Sequence, residues 1–373
     1  MMPISRTLRS LCSATALILA GLACSPSTGA DDANRDTGAA SDTSAGGNHA
    51  VITIYHHVDD STPPSTSLSP EQFREQMHHL RDNDFTVWPL DRLLQAIEDQ
   101  SPIPDRTVAI TFDDGYISIH ETALPMLQEL DFPFALFLST GPIDDNQRGY
   151  MNWDQIRELS DAGVMIANHM VSHPHMIDNR AGESDRERVE RMREELLHAE
   201  QRIEEETGQS HRVLAYPYGE YDPDILQMIE EEDFIALAQN SGAVGHHSDL
   251  RALPRFPLAG IFANMNTIPT KLETLAFRVL EQEPRNPVTD SRRPAVTLRL
   301  EGKYNPDQLG CYGGSEPLEI EWLDREAKRF RIEPDRDFNS RRWGYNCTAP
   351  RSGSDRFYWY SKFWTRSTPD NQD

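Results

Sequence analysis

Between residues 50 and 240, short apolar runs alternate with longer segments whose apolar residues recur at helical spacing. The runs fall at 50–58, 108–112, 134–138, 164–167, 213–216 and 235–238. Most are continuous, the pattern of a strand buried on both faces of a parallel sheet. Between them, Ser69-Pro70-Glu71-Gln72 predicts a capped helix start with an early proline, running to about residue 82. Residues 90–99, 120–130, 152–162, 185–206 and 222–232 read as further helices. The segment 185–206 carries acids and bases at helical neighbour spacing and belongs on the solvated outside. Strands alternating with amphipathic helices predict an α/β domain over residues 49–281 with a parallel core. Its polar clusters fall just past strand ends. This favours a distorted (β/α) barrel with its site at the strand C-termini, an open doubly wound sheet being the alternative.

The pattern changes after about residue 281. Residues 282–293, with Pro284 and Pro287, read as a linker. Beyond it, 295–300, 318–322, 327–332 and 356–360 alternate or are β-rich, with glycine and proline turns between them. A small all-β domain, sandwich-like, is expected over residues 294–373. Its aromatics (Trp322, Trp343, Tyr345, Tyr358, Trp359, Tyr360, Phe363, Trp364) suit the core of such a domain, with stacking on sugar rings as the alternative.

At the other end, Arg6 and Arg9 precede an apolar stretch, residues 14–23, too short to span a bilayer. Leu19-Ala20-Gly21-Leu22-Ala23-Cys24 resembles a bacterial lipoprotein signal with Cys24 as the lipidated residue, although Gly21 stands where leucine is usual. The alternative is a plain secretory signal cleaved nearby. Either reading of residues 1–24 sends the chain out of the cytoplasm, as a periplasmic or cell-surface protein. Residues 25–48 offer almost nothing to bury and read as a flexible tether. With 60 acidic against 36 basic residues the formal charge is −24, which argues against nucleic acid as a partner. Membrane contact is expected only through the N-terminal lipid. Cys12 leaves with the signal and Cys24 is committed to it, so Cys311 and Cys347 remain as an expected disulfide in an oxidising compartment.

Candidate chemistry begins where the run 108–112 stops at Asp113-Asp114-Gly115. Consecutive strand residues point apart, but glycine at the strand end admits a sharp turn that lets two carboxylates share a site. Taken alone, the same triplet is ordinary turn chemistry. A second cluster, His169-Met170-Val171-Ser172-His173-Pro174-His175, follows the run 164–167. Histidines four apart can share a metal; a pair of surface histidines is the alternative. Pro174 disfavours helix at His173, so a turn or loop is expected, and His175 reads as packing or surface. Two imidazoles and one carboxylate make a three-ligand site for a divalent metal, zinc above all, with an open position of the hydrolytic type. With Asp114 as the oxygen ligand, Asp113 is left as general base.

In combination these motifs resemble the polysaccharide deacetylases of carbohydrate esterase family 4, over about residues 50–260. Thr111-Phe112-Asp113-Asp114-Gly115 is similar to the family's first motif, whose first aspartate is the base and whose second binds metal. His169 and His173 match the two histidine ligands of the second motif, and Tyr216-Pro217-Tyr218-Gly219 the third. The resemblance implies that Tyr218 lends its backbone N–H to the oxyanion. Ala215 stands where the third motif usually has an arginine, and Arg255 is the candidate to supply that guanidinium to Asp113. The family's late catalytic histidine has no counterpart after His247, so His56 is the candidate proton donor to the leaving amine. His57, its neighbour, points the other way on a strand and reads as structural. The early Tyr55-His56 resembles the branch acting on exported poly-N-acetylglucosamine. The resemblance thus implies removal of N-acetyl groups from an amino-sugar polysaccharide. Peptidoglycan, chitin, or silent polysaccharide binding by a decayed site are the alternatives.

Overall fold

Six short parallel strands form the centre of the fold. They are β1 (His49–Tyr55), β2 (Thr107–Phe112), β3 (Phe134–Leu138), β4 (Met165–Asn168), β5 (Val213–Ala215) and β6 (Ile235–Leu237), paired side by side in that order. A seventh strand, β7 (Ala243–Gly245), runs antiparallel along the other edge of β1. This is a computed structural model, and it describes residues 47–367. The signal, Cys24 and residues 25–46 of the expected tether lie outside the described residues. The helices start on the residue types that cap: Ser69, Asn152 and Ser184 each close a capping box, and Asp222 accepts from Ile225 N. The expected helix at 120–130 instead opens with a π-helical turn, Ile119–Ala123, and continues as Leu124–Glu129.

The sheet is curled, and its two faces carry different residues. Ala50, Ile52, Ala109, Ala135, Phe137, Ala167, Ala215 and Leu237 share one buried cluster with the helix Leu90–Glu98. Val51, Tyr55, Val108, Ile110, Phe112, Leu136 and Ile166 pack in another, against the helices Pro70–Asp82 and Trp153–Asp161. The alternation follows from the strand period of two, and the small alanines let the inner face close tightly. Between the edges β6 and β1, the barrel is completed by irregular chain. Leu253 bridges to Leu237 and Phe256 pairs with Thr53.

Two antiparallel sheets follow. A five-stranded sheet has the order Leu275–Ala276, Phe357–Thr365, Arg342–Pro350, Gly310–Gly313, Glu316–Leu318, its first pair being parallel. A four-stranded sheet has the order Arg278–Glu283, Val296–Glu301, Arg329–Ile332, Ile320–Asp324. Their inner faces meet in one cluster that buries Leu298, Phe330, Trp343, Tyr345, Tyr358, Tyr360 and Trp364. Most of the C-terminal aromatics are therefore core, and Trp322, Trp359 and Phe363 are half-buried. These sheets begin earlier than the expected boundary at residue 294. Leu275–Ala276 and Arg278–Glu283 are already strands of them, so residues 282–283 of the expected linker belong to a sheet. The prolines at 284 and 287 hid this, because only the stretch after Glu283 has linker character. Cys311 and Cys347 face each other across paired strands and form the expected disulfide.

Candidate functional site

The inner-face alternation of the strands carries directly into the site. Along β2, Ala109 faces the barrel interior, and two more steps of the same period bring Thr111 and then Asp113 to that side. Asp113 is fully buried and meets Arg255, itself fully buried, in a two-pronged contact. Arg255 Nη1 and Nη2 donate to Asp113 Oδ1 and Oδ2, each at 2.7 Å. The guanidinium is fixed further by donations to Ala238 O at 3.0 Å and Thr111 Oγ1 at 3.1 Å, above the Phe137 ring. Burial alone would push the Asp113 carboxyl up; the Arg255 charge outweighs it and holds Asp113 below the usual carboxylate range. The guanidinium expected beside Asp113 is that of Arg255, 142 residues along the chain.

Asp114 should point away from Asp113, and the backbone turns it back. Its φ is 75° and that of Gly115 is 88°, both in the left-handed region, and Gly115 N donates to Asp113 O at 3.0 Å. The expected sharp turn therefore involves Asp114 itself as well as the glycine. A Cβ on Gly115 would stand 2.9 Å from Leu138 Cδ2, so a side chain there would have to displace Leu138 as well as hold the left-handed φ. The result aims Asp114 Oδ1 at His169 Nε2, 3.2 Å away, and His173 Nε2, 3.5 Å away. The ligand atoms of Asp114, His169 and His173 all lie within 4.8 Å of one another.

His169 continues the β4 interior positions Met165 and Ala167, and it is fully buried. Its Nδ1 lies 2.7 Å from Ala215 O. A carbonyl only accepts, so Nδ1 carries a proton and Nε2 is the nitrogen turned to Asp114. Nε2 is buried and has no hydrogen-bond partner. Bare, that nitrogen would set a lone pair against a carboxylate oxygen in a dry site, so a proton or a metal cation belongs between them. His173 follows Met170 in a loop, with φ 53°, rather than in a helix. Burial, reinforced by the neighbouring His169, pushes its imidazole down to about 4, so it is neutral at pH 7 and able to act as a ligand. Burial would raise Asp114, but its hydrogen-bonding contact with His169, above all, holds it well below the usual range. This donor set, two imidazoles and one carboxylate, fits a divalent ion.

The other expected residues gather around the trio. Tyr218 sits between His173 and His175, with ring centroids 4.4 Å and 4.0 Å away. His56 continues the inner-face positions Ala50 and Ile52 and is close enough to Asp113, Asp114 and His173 to act on each electrostatically. His57 faces the other way and stacks on Tyr116 at 3.6 Å. His175 has a packing role, stacked on Tyr218 and bonded through Nδ1 to Glu220 at 2.9 Å. Glu220, Arg341 and Arg342 also reach this region and were not anticipated. A charged residue far along the chain gives no local signal of what it will touch.

Residues 100–235 match the family model for polysaccharide deacetylase. The poly-beta-1,6-N-acetyl-D-glucosamine N-deacetylase of Escherichia coli (strain K12) is 22% identical over 248 residues, covering 57% of this chain and 37% of that protein. Its namesake from Staphylococcus aureus (strain MSSA476) is 25% identical over 185 residues, 48% of this chain and 62% of that one. The chain thus spans less than two thirds of either relative. Among solved structures, the Streptococcus pyogenes deacetylase PplD in complex with acetate superposes with a TM-score of 0.53 at 20% identity, over 60% of this chain and 98% of that one. That likeness is one of fold.

Proposed function

We propose that this chain, which carries a polysaccharide deacetylase domain, is an exported metal-dependent hydrolase that removes N-acetyl groups from a poly-N-acetylglucosamine-like polymer. The observation that carries this reading is the convergence of Asp114, His169 and His173 within 4.8 Å, beside an Asp113 paired to Arg255. The names of the relatives support the choice of polymer. Asp114, His169 and His173 would hold the ion, zinc by its preference for this nitrogen and oxygen donor set, and it would acidify a water and polarise the acetamide carbonyl.

The chain's own groups account for the proton and charge movements. Asp113 stays ionised at neutral pH because Arg255 balances its charge, and its remaining lone pairs accept the proton of the attacking water. Arg255 keeps that carboxylate from turning away. The backbone N–H of Tyr218 donates to the oxyanion as it develops, from a turn fixed before the substrate arrives. His56 delivers a proton to the departing amine. The expected N-terminal signal and lipid anchor would put this chemistry in the periplasm or on the cell surface.

Acetate release, measured with added zinc on poly-N-acetylglucosamine, chitin oligomers and peptidoglycan, tests the reading. Release from the first in preference to the others is expected, and Asp113→Asn should abolish it while metal stays bound. Glycan binding with no acetate released from any polymer would overturn the assignment.

A further inference from the structure

The Tyr218 turn is held from a direction the barrel does not supply. The strand Arg342–Pro350 of the C-terminal five-stranded sheet begins at Arg342, whose Nη1 donates to Tyr218 O. Its guanidinium also lies over the Tyr218 ring, 5.8 Å from the centroid. The preceding residue, Arg341, donates through Nε and Nη2 to the two oxygens of Glu220, at 2.9 and 2.7 Å, and pairs with Asp178 at 2.9 Å. Glu220 is only 1% exposed and also bonds His175 Nδ1, whose ring is stacked on Tyr218. The turn is therefore gripped at the Tyr218 carbonyl, at its ring, and two residues further on.

Such a grip is needed there. Tyr218 has φ 57° and ψ 2°, a left-handed conformation that side-chain-bearing residues avoid unless the surroundings impose it. Gly219 follows with φ 70°, closed against Gln239, so the turn has tight packing on one side and the two arginines on the other. The carboxylates of Glu220 and Asp178 neutralise Arg341. Arg342, beside that pair, lies over the Tyr218 ring and donates to its carbonyl.

We infer that the C-terminal sheets form part of the reaction centre: Arg341 and Arg342 are positioning residues that fix the Tyr218 peptide where it can serve the oxyanion. This rests on the deacetylase reading above. It assigns the C-terminal region a role in turnover that does not require it to touch the polymer.

The test uses the full chain and the variants Arg342→Ala, Arg342→Lys and Arg341→Ala. Three readouts are taken: kcat and KM for acetate release, zinc affinity by titration, and hydrogen–deuterium exchange of the peptide covering residues 216–221 without substrate. Arg342→Ala should lower kcat about ten- to a hundredfold, less than deleting an oxyanion donor outright. KM and zinc affinity should stay within about threefold, since uniform binding is untouched. Exchange in the turn should quicken about tenfold or more, as local opening becomes easier. Arg341→Ala should behave alike, and Arg342→Lys should recover much of the rate because an ammonium can still donate to the carbonyl. Wild-type kcat in Arg342→Ala, or unchanged exchange in the turn, overturns the inference. If the wild-type chain itself releases no acetate, the deacetylase reading fails, and the exchange measurement still decides whether the arginines hold the turn.

Discussion

Replacing Arg255 by methionine removes the guanidinium paired with Asp113 without opening a large cavity. Both side chains are fully buried, and the guanidinium makes four donations, to Asp113 Oδ1, Asp113 Oδ2, Thr111 Oγ1 and Ala238 O. Breaking a buried pair from one side leaves an uncompensated charge, at a cost of roughly 3–5 kcal/mol at neutral pH. The pH dependence has a definite sign. In the wild type the Asp113 carboxyl is held below its unfolded value, so its contribution to stability is present above that value and is lost only as pH falls through the folded one. In Arg255→Met the largest charge opposing burial is gone, and only His169 and His56 still act against it. The carboxyl moves upward from its wild-type folded value toward or past the unfolded one, near 3.9. The deficit therefore grows as pH rises from about 4 and narrows below it, where the carboxyl is neutral in both states. Urea denaturation of the two proteins at pH 7 and pH 4 measures the gap at each. Acetate release against pH should show the acid limb displaced upward in the variant, since the base must lose a proton it did not previously hold. An unchanged acid limb together with an equal stability gap at both pH values would refute the reasoning.

His173→Ala takes away one of three ligands and should weaken zinc binding by more than about a hundredfold, the upper range seen for mere outer-shell changes; competition with a chromophoric chelator reads this. His56→Ala should reduce kcat on the polymer by about a hundredfold but change hydrolysis of an aryl acetate far less, because a phenolate leaves without a proton. Equal losses on both substrates would remove the proton-donor assignment. Cys311→Ser with Cys347→Ser opens a cross-link over 36 residues and should lower unfolding free energy by about 4 kcal/mol, read by urea denaturation.

Much of the barrel is legible in the sequence because each strand is a short apolar run whose flanking helix announces itself by its cap, as at Ser69, Asn152 and Ser184. The site is legible for a related reason. His56, Asp113 and His169 each continue the inner-face alternation of a strand, so chemistry-bearing residues at those positions point into the mouth of the barrel. What escapes is whatever depends on chain closure. The return of 250–257 along β6 and β1 has no apolar run to mark it, and the Arg255–Asp113 pair, 142 residues apart, is expected only through the family resemblance. The left-handed turn at Asp114 is stabilised by its setting rather than by its residue type. The first strands of the C-terminal sheets, Leu275–Ala276 and Arg278–Glu283, are short or exposed and look like connecting chain. Arg341 and Arg342 resemble any surface pair until the sheet that carries them is docked on the Tyr218 turn.

The central claim is that Asp114, His169 and His173 hold one divalent ion on which turnover depends. Stripping the protein with a chelator and titrating zinc back while following acetate release tests it most directly. One ion per chain should restore activity to a plateau, and His169→Ala should neither bind that ion tightly nor regain the rate. Full activity in the stripped protein, or stoichiometric zinc binding undiminished in His169→Ala, would contradict the account.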